Sequence, residues 1–376
     1  ASYGVQGNDN LGTYYAWQGL YDYTWANGSE AGAFASKLEN KAITWEKNGN
    51  LNAGIEASLF GGKGTFTAEY YNRHTRDMLL ENPLAISTGF TGYDANVGSM
   101  RNQGFEFSGR VNIIDMPNFR WDANAMASLN RNKVTSLTSS QDFISAGASV
   151  IEVGRPIYTF YLSKTAGVDP ATGKRLYYAY WKRGVDETGA VSNVRCDEYV
   201  TDNVSLASLS KYYMGSREPA VSGSLGSSFV IFKNIDLSFL TTWSIGGKVY
   251  DGLYSGTMNV QYAGNNWHKN VLRRWQKPGD VTDVPMVEIG GSAPANNSAL
   301  INASYFAIKN ITLGYTFPKN WLSKMEISAL RLFLTADNIA MFNHLDGMDP
   351  QYNFTGSVSY SYTPSRAIVA GIDIQF

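Results

Sequence analysis

The last nine residues, Ile368-Val369-Ala370-Gly371-Ile372-Asp373-Ile374-Gln375-Phe376, constrain this chain more than any other stretch of it. Extended backbone sends successive side chains to opposite faces, so Ile368, Ala370, Ile372, Ile374 and Phe376 share one side and Val369, Gly371, Asp373 and Gln375 the other. A strand divided in this way suits a wall with lipid on one face and water on the reverse. The same rhythm returns at residues 51–60, 64–71, 104–113, 121–129, 221–230, 235–245, 305–317 and 330–336. Fainter versions occur at 158–163 and 176–181, and residues 3–6 read as a strand already under way.

Composition fits that pattern and removes other classes. With 31 Lys+Arg against 32 Asp+Glu and a net charge of -1, the chain lacks the clustered basic excess of a nucleic-acid binder. No stretch reaches the roughly 18 consecutive apolar residues of a transmembrane helix, so any crossing of a membrane falls to strands. A mean hydropathy of -0.24 is compatible with this, because a barrel needs only alternate residues to be apolar. Cys196 is a lone cysteine and forms no intrachain disulfide.

Connections alternate in length. Gly61-Gly62-Lys63, Asp115-Met116-Pro117-Asn118 and Lys233-Asn234 are tight turns, whereas residues 8–44, 81–96, 135–154, 184–218, 246–300 and 338–363 make long ones. Short periplasmic turns and long extracellular loops are the rule in outer-membrane barrels. The expected fold is therefore all-β, a transmembrane antiparallel β-barrel segment of roughly ten to twelve strands. A soluble sandwich or solenoid also alternates, but it rarely places all its long loops on one side, and no fixed repeat is visible.

Several motifs carry a resemblance that extends over nearly the whole chain. They include Tyr70-Tyr71-Asn72-Arg73-His74-Thr75-Arg76-Asp77-Met78-Leu79 and Asn96-Val97-Gly98-Ser99-Met100-Arg101-Asn102-Gln103-Gly104-Phe105-Glu106. Gly167-Val168-Asp169-Pro170-Ala171-Thr172-Gly173 and Trp275-Gln276-Lys277-Pro278-Gly279-Asp280 follow, then the stretch Ser304 to Tyr315, Ala336-Asp337-Asn338 and Gly347-Met348-Asp349-Pro350. In content and order these resemble the barrel of SusC/RagA-type TonB-dependent outer-membrane transporters. The resemblance implies a 22-stranded plugged barrel, of which residues 1–376 would be about the C-terminal half. It places the plug, the TonB box and the remaining strands elsewhere, in another chain or fragment that completes the wall, since an open edge in lipid is costly. The opening Ala1-Ser2-Tyr3-Gly4, without an initiator Met or signal peptide, fits a mature product or a piece of a longer chain.

The resemblance further implies a location in the outer membrane of a Gram-negative, Bacteroidetes-like bacterium. The implied activity is import of an oligosaccharide or oligopeptide delivered by a SusD/RagB-like surface lipoprotein and driven by TonB. Candidate contact residues are the rings of the first long loop, Tyr14, Tyr15, Trp17, Tyr21, Tyr23 and Trp25, which have flat faces for sugars or peptide side chains. Girdle or inter-loop packing is the competing role for each ring. Alternation puts Glu56, Glu69, Glu106, Arg110 and Asp236 on the lumen side. Phe376 resembles the terminal signal read by the barrel-assembly machinery. No cofactor or metal is expected, because His74, His268 and His344 lie in separate segments without metal-ligand spacing. Catalysis lacks a nucleophile elbow as well. A barrel enzyme and a secreted glycan-binding β-protein are the rival classes.

Overall fold

A computed structural model describes the chain except for residues 139–142, 186–188, 262–263, 323–325, 345–346, 352–354 and 359–361. Its large sheet has ten strands: β1 (Ser2–Asn8), β2 (Glu46–Leu59), β3 (Gly64–Arg76), β4 (Gly98–Met116), β5 (Phe119–Leu137), β6 (Val221–Ile231), β7 (Ile235–Ile245), β8 (Tyr305–Thr316), β9 (Ala329–Asn343) and β10 (Ala367–Gln375). The chain divides into two compact units, residues 1–115, 120–145 and 151–157 in the first, and 116–119, 146–150 and 158–376 in the second.

In the first unit β1 to β5 lie side by side in chain order. The register sets Asn52 opposite Ser2 and Tyr71, and Gly104 opposite Tyr71, so one face is polar across the whole width. That face carries Gln6, Asn48, Asn50, Asn52, Arg73 and Asn102. Leu51, Ile55, Phe66, Phe105 and Phe107 occupy the reverse and remain exposed. In the second unit β6 to β10 also follow chain order. Leu332 pairs with Ile372 and Leu330 with Ile374, extending the apolar face read from the final nine residues across its neighbour. A sheet whose large apolar side chains stay uncovered is built for a non-aqueous surround.

Much of the dry packing lies in the connections between the long strands. In the second unit Val249, Ala303, Met348 and Val358 form one small cluster, and Phe160, Leu162, Tyr177 and Ala179, in the connection between β5 and β6, are almost fully buried. Thr159–Ser163 pairs with Lys211–Tyr213, and Arg175–Val185 pairs with Val191–Thr201. The two fainter strand candidates are thus real, but they belong to small sheets outside the large one, and the large sheet has ten strands among the described residues.

The connections expected at 184–218 and 246–300 are not plain loops. They contain the strand Val191–Thr201 and the helices α1 (Val204–Leu209) and α2 (Gly252–Thr257). Asn203 Oδ1 caps α1 by accepting from Leu206 N at 3.1 Å, and Asp251 Oδ1 caps α2 through Tyr254 N at 2.8 Å. The long strands also outrun their expected limits: β4 and β5 each have 19 residues, where periodicity marks out nine or ten. About 9–11 tilted residues suffice to cross a bilayer. Toward the long-loop end the added residues, such as Arg101, Asn102, Arg131 and Asn132, put polar side chains on both faces, which erases the period-2 signal but not the pairing.

Candidate transport wall and loop face

The motif at residues 96–106 has a structural task. Asn96 Nδ2 donates to the carbonyls of Thr44 and Asp77, both at 2.8 Å, and its Oδ1 accepts from Thr44 N at 2.9 Å. One side chain therefore ties the end of the first long loop to both ends of the second. Asn40 Nδ2 adds a bond to the Asp94 carbonyl at 2.9 Å, and Lys37 pairs with the Asp94 carboxylate. Farther along the motif, Gly104 lies beneath the Tyr71 ring and against the Leu129 carbonyl, where a Cβ has no room. Tyr71 Oη then reaches across to donate to Asn130 Oδ1 at 2.7 Å.

Two other motifs dock on one another. Residues 169–173 form a turn in which Asp169 accepts from Ala171 N at 2.9 Å and Thr172 Oγ1 at 2.6 Å. Trp275 lays its ring over Gly173 and donates from Nε1 to the Pro170 carbonyl at 2.9 Å. Asp280 holds the Trp275 segment by accepting from Gln276 N and Lys277 N, both at 3.0 Å. Hydrogen bonds to the charged form hold the carboxyls of Asp169 and Asp280 below the usual range. About 100 residues separate the two segments, so spacing alone gave no sign of the contact.

Glu56, Glu69, Glu106 and Arg110 share the polar face of the first unit, as alternation requires. Glu69 and Glu106 are directly opposite one another, an arrangement of like charges that a sheet ordinarily avoids. Arg110 approaches Asp122, which is bound more closely by Arg120 at 2.8 Å and by Asn112 Nδ2 at 3.2 Å. A recess of about 670 Å³ opens on this face, lined mainly by amides from Gln6, Asn48, Asn50, Asn52 and Asn102 together with Arg73. In the second unit Asp236 takes both arms of Arg331, at 3.0 and 2.6 Å, while Arg331 also lies 3.6 Å from Asp373. Gly314 between them leaves the space this triad fills.

The six rings of the first loop are all exposed, Tyr14 at 94% and Trp17 the least so at 47%. Two short hairpin pairings, Leu20–Asp22 with Phe34–Lys37 and Ala26–Asn27 with Glu30–Ala31, give the loop its shape, and Trp25 packs at 6.5 Å from Phe34. Phe376 is 90% exposed just beyond β10. His268 has a structural task, accepting from Asn270 N at 3.2 Å and meeting the Tyr254 ring edge-on at 5.0 Å.

Residues 1–339 match the family model described as TonB dependent receptor-like, beta-barrel. The chain belongs to that family. TonB-dependent receptor P39 of Formosa agariphila is 26% identical over 422 residues, covering all of this chain and 40% of the relative. SusC of Bacteroides thetaiotaomicron, also a TonB-dependent receptor, is 27% identical over 395 residues, or 37% of its own length. A solved structure of the RagAB peptide transporter superposes with a TM-score of 0.83 at 27% identity, over 100% of this chain and 40% of that one. This member of the TonB-dependent receptor-like family thus spans about two fifths of its relatives, and the SusC/RagA resemblance read from its motifs holds. Relatives named as receptors and transporters identify a transport family, not one of enzymes.

Proposed function

We propose that this chain is the C-terminal half of the barrel of an outer-membrane active importer in a Bacteroidetes-like bacterium, supplying wall and outer loops. A plug and the remaining strands come from the rest of the transporter, and TonB acts on that plug. A SusD/RagB-like lipoprotein closes over the long-loop end and delivers an oligosaccharide or oligopeptide. Support comes first from the loop of residues 9–45, which holds six exposed aromatic rings and is fastened at its base by Asn96. Exposed Tyr and Trp on an anchored loop combine large contact area with low ordering cost, the chemistry of a protein or glycan contact. The amide-lined face adds donors and acceptors that suit sugar hydroxyls and peptide groups alike. Glu56, Glu69, Glu106, Arg110 and Asp236 border the path, and Phe376 serves recognition during assembly.

The test replaces Tyr14, Tyr15, Trp17, Tyr21, Tyr23 and Trp25 with Ala in the full-length transporter, leaving its hairpins in place. Co-purification of the lipoprotein and uptake of labelled oligosaccharide and oligopeptide pools are then measured with and without TonB. Loss of lipoprotein association together with TonB-dependent uptake is expected. Wild-type association after this change would remove the loop from the contact, and TonB-independent uptake would refute the mechanism.

A further inference from the structure

The face of the first unit opposite the amide-lined recess carries a second, differently charged surface. On β3 its residues run Phe66, Ala68, Tyr70, Asn72, His74, Arg76, changing from apolar to basic toward the long-loop end. The register places Arg101 of β4 opposite His74 and Lys47 of β2 opposite Arg76. Asn130 and Asn132 of β5 bond to Tyr71 and Asn102 on the polar face, so the alternating neighbours Arg131 and Lys133 project to the basic one. Arg76, Arg101, Arg131 and Lys133 are exposed. A recess of about 680 Å³ opens among Lys47, His74, Arg76 and Arg101. Among the described residues the ion pair in this group is Lys47 with Asp77, at 3.2 Å; the other three basic strands' cations form none.

Height along the strand identifies the environment. Tyr70 and Phe105 meet at a tilt with centroids 5.3 Å apart and Phe105 stacks on Phe107 at 6.3 Å, forming an aromatic row on the apolar face. His74 and Arg101 stand four residues farther along, about 13 Å of strand, or roughly 10 Å along the normal at the tilt of a barrel wall. That is headgroup depth when the rings mark the edge of the hydrocarbon. Because the long connections lie at this end, the headgroups are those of the outer leaflet.

We propose that Arg76, Arg101, Arg131 and Lys133, with the recess between β2 and β4, bind the phosphate groups of an outer-leaflet glycolipid. Guanidinium forks match phosphate oxygens in pairs, and a lipid tail below would lie on the Tyr70 and Phe105 rings. Charge complementarity and the adjoining apolar wall together select a phosphorylated lipid over a free anion. The inference relies on the outer-membrane placement proposed above but not on cargo or lid, so its failure and theirs are separately visible.

Native mass spectrometry of the full-length transporter in detergent tests it, with phosphorylated lipid A, dephosphorylated lipid A and inorganic phosphate as probes. Wild-type protein should retain the phosphorylated lipid at least tenfold more tightly than the dephosphorylated one, and lose the difference in high salt. Substituting Arg76→Gln, Arg101→Gln, Arg131→Gln and Lys133→Gln together should abolish that preference, whereas Lys182→Gln with Arg183→Gln should preserve it. Heat-modifiable migration on gels reports whether the fourfold variant is folded, and the wild-type comparison requires no variant. Equal retention of the two lipids, an unchanged preference in the folded fourfold variant, or displacement by micromolar phosphate would overturn the proposal.

Discussion

Single residues in this wall are decided by what lies beside them on the neighbouring strand. Gly104 accepts the Tyr71 ring and the Leu129 carbonyl, so Gly104→Ala should prevent correct closure of β3, β4 and β5, seen as loss of the heat-modifiable band of the full-length transporter. Tyr71→Phe removes the 2.7 Å bond to Asn130 and should cost about 1 kcal/mol while preserving that band. The turn between β6 and β7 holds Phe232 at φ 50 and Lys233 at φ 64, left-handed positions that favour glycine. Lys233→Gly should therefore stabilise by about 1 kcal/mol, measured as a higher urea midpoint. None of these effects follows from residue type alone: the first two depend on a partner fixed by register, and the third on the backbone conformation of the turn.

Elements are held by side chains that bridge long separations. Asn96→Ala breaks four bonds linking the first two long connections, so limited proteolysis should cut within residues 9–45 at least several-fold faster, with the strands unaffected. The Trp275 anchor carries a pH signature. Asp169 and Asp280 have carboxyls depressed by their bound N–H and O–H donors, so their contribution is complete above the ordinary carboxylate range and is lost as pH falls through the depressed values. Hydrogen exchange across residues 169–173, taken relative to the intrinsic rate at each pH, should stay slow at neutral pH and quicken only once the pH has fallen below the ordinary carboxylate range. Asp280→Asn should bring that quickening to neutral pH.

For the molecule as a whole, β1 is paired on one side by β2, and β10 on one side by β9, among the described residues. Unpaired backbone in lipid is expensive, so the 376-residue chain made alone should accumulate in urea-soluble aggregates. Co-expression with the rest of the transporter should restore heat-modifiable, detergent-extractable protein, and detergent-free solubility of the chain alone would contradict the membrane reading. Which faces are apolar was legible in the sequence, as Ile368 to Ile374 illustrate, because alternation is a local property of extended backbone. The family was legible too, through motifs such as residues 96–106. Caps such as Asn203 and Asp251 were visible in principle, yet their short helices carry too few turns for a helical period to emerge. Local alternation and the order of the motifs already carried the rhythm of the wall and its kinship. That Trp275 covers Gly173 came from the folding of two distant loops, and that Glu69 faces Glu106 and basic residues from four strands gather on one patch came from pairing, because register, not spacing, sets what meets across a sheet.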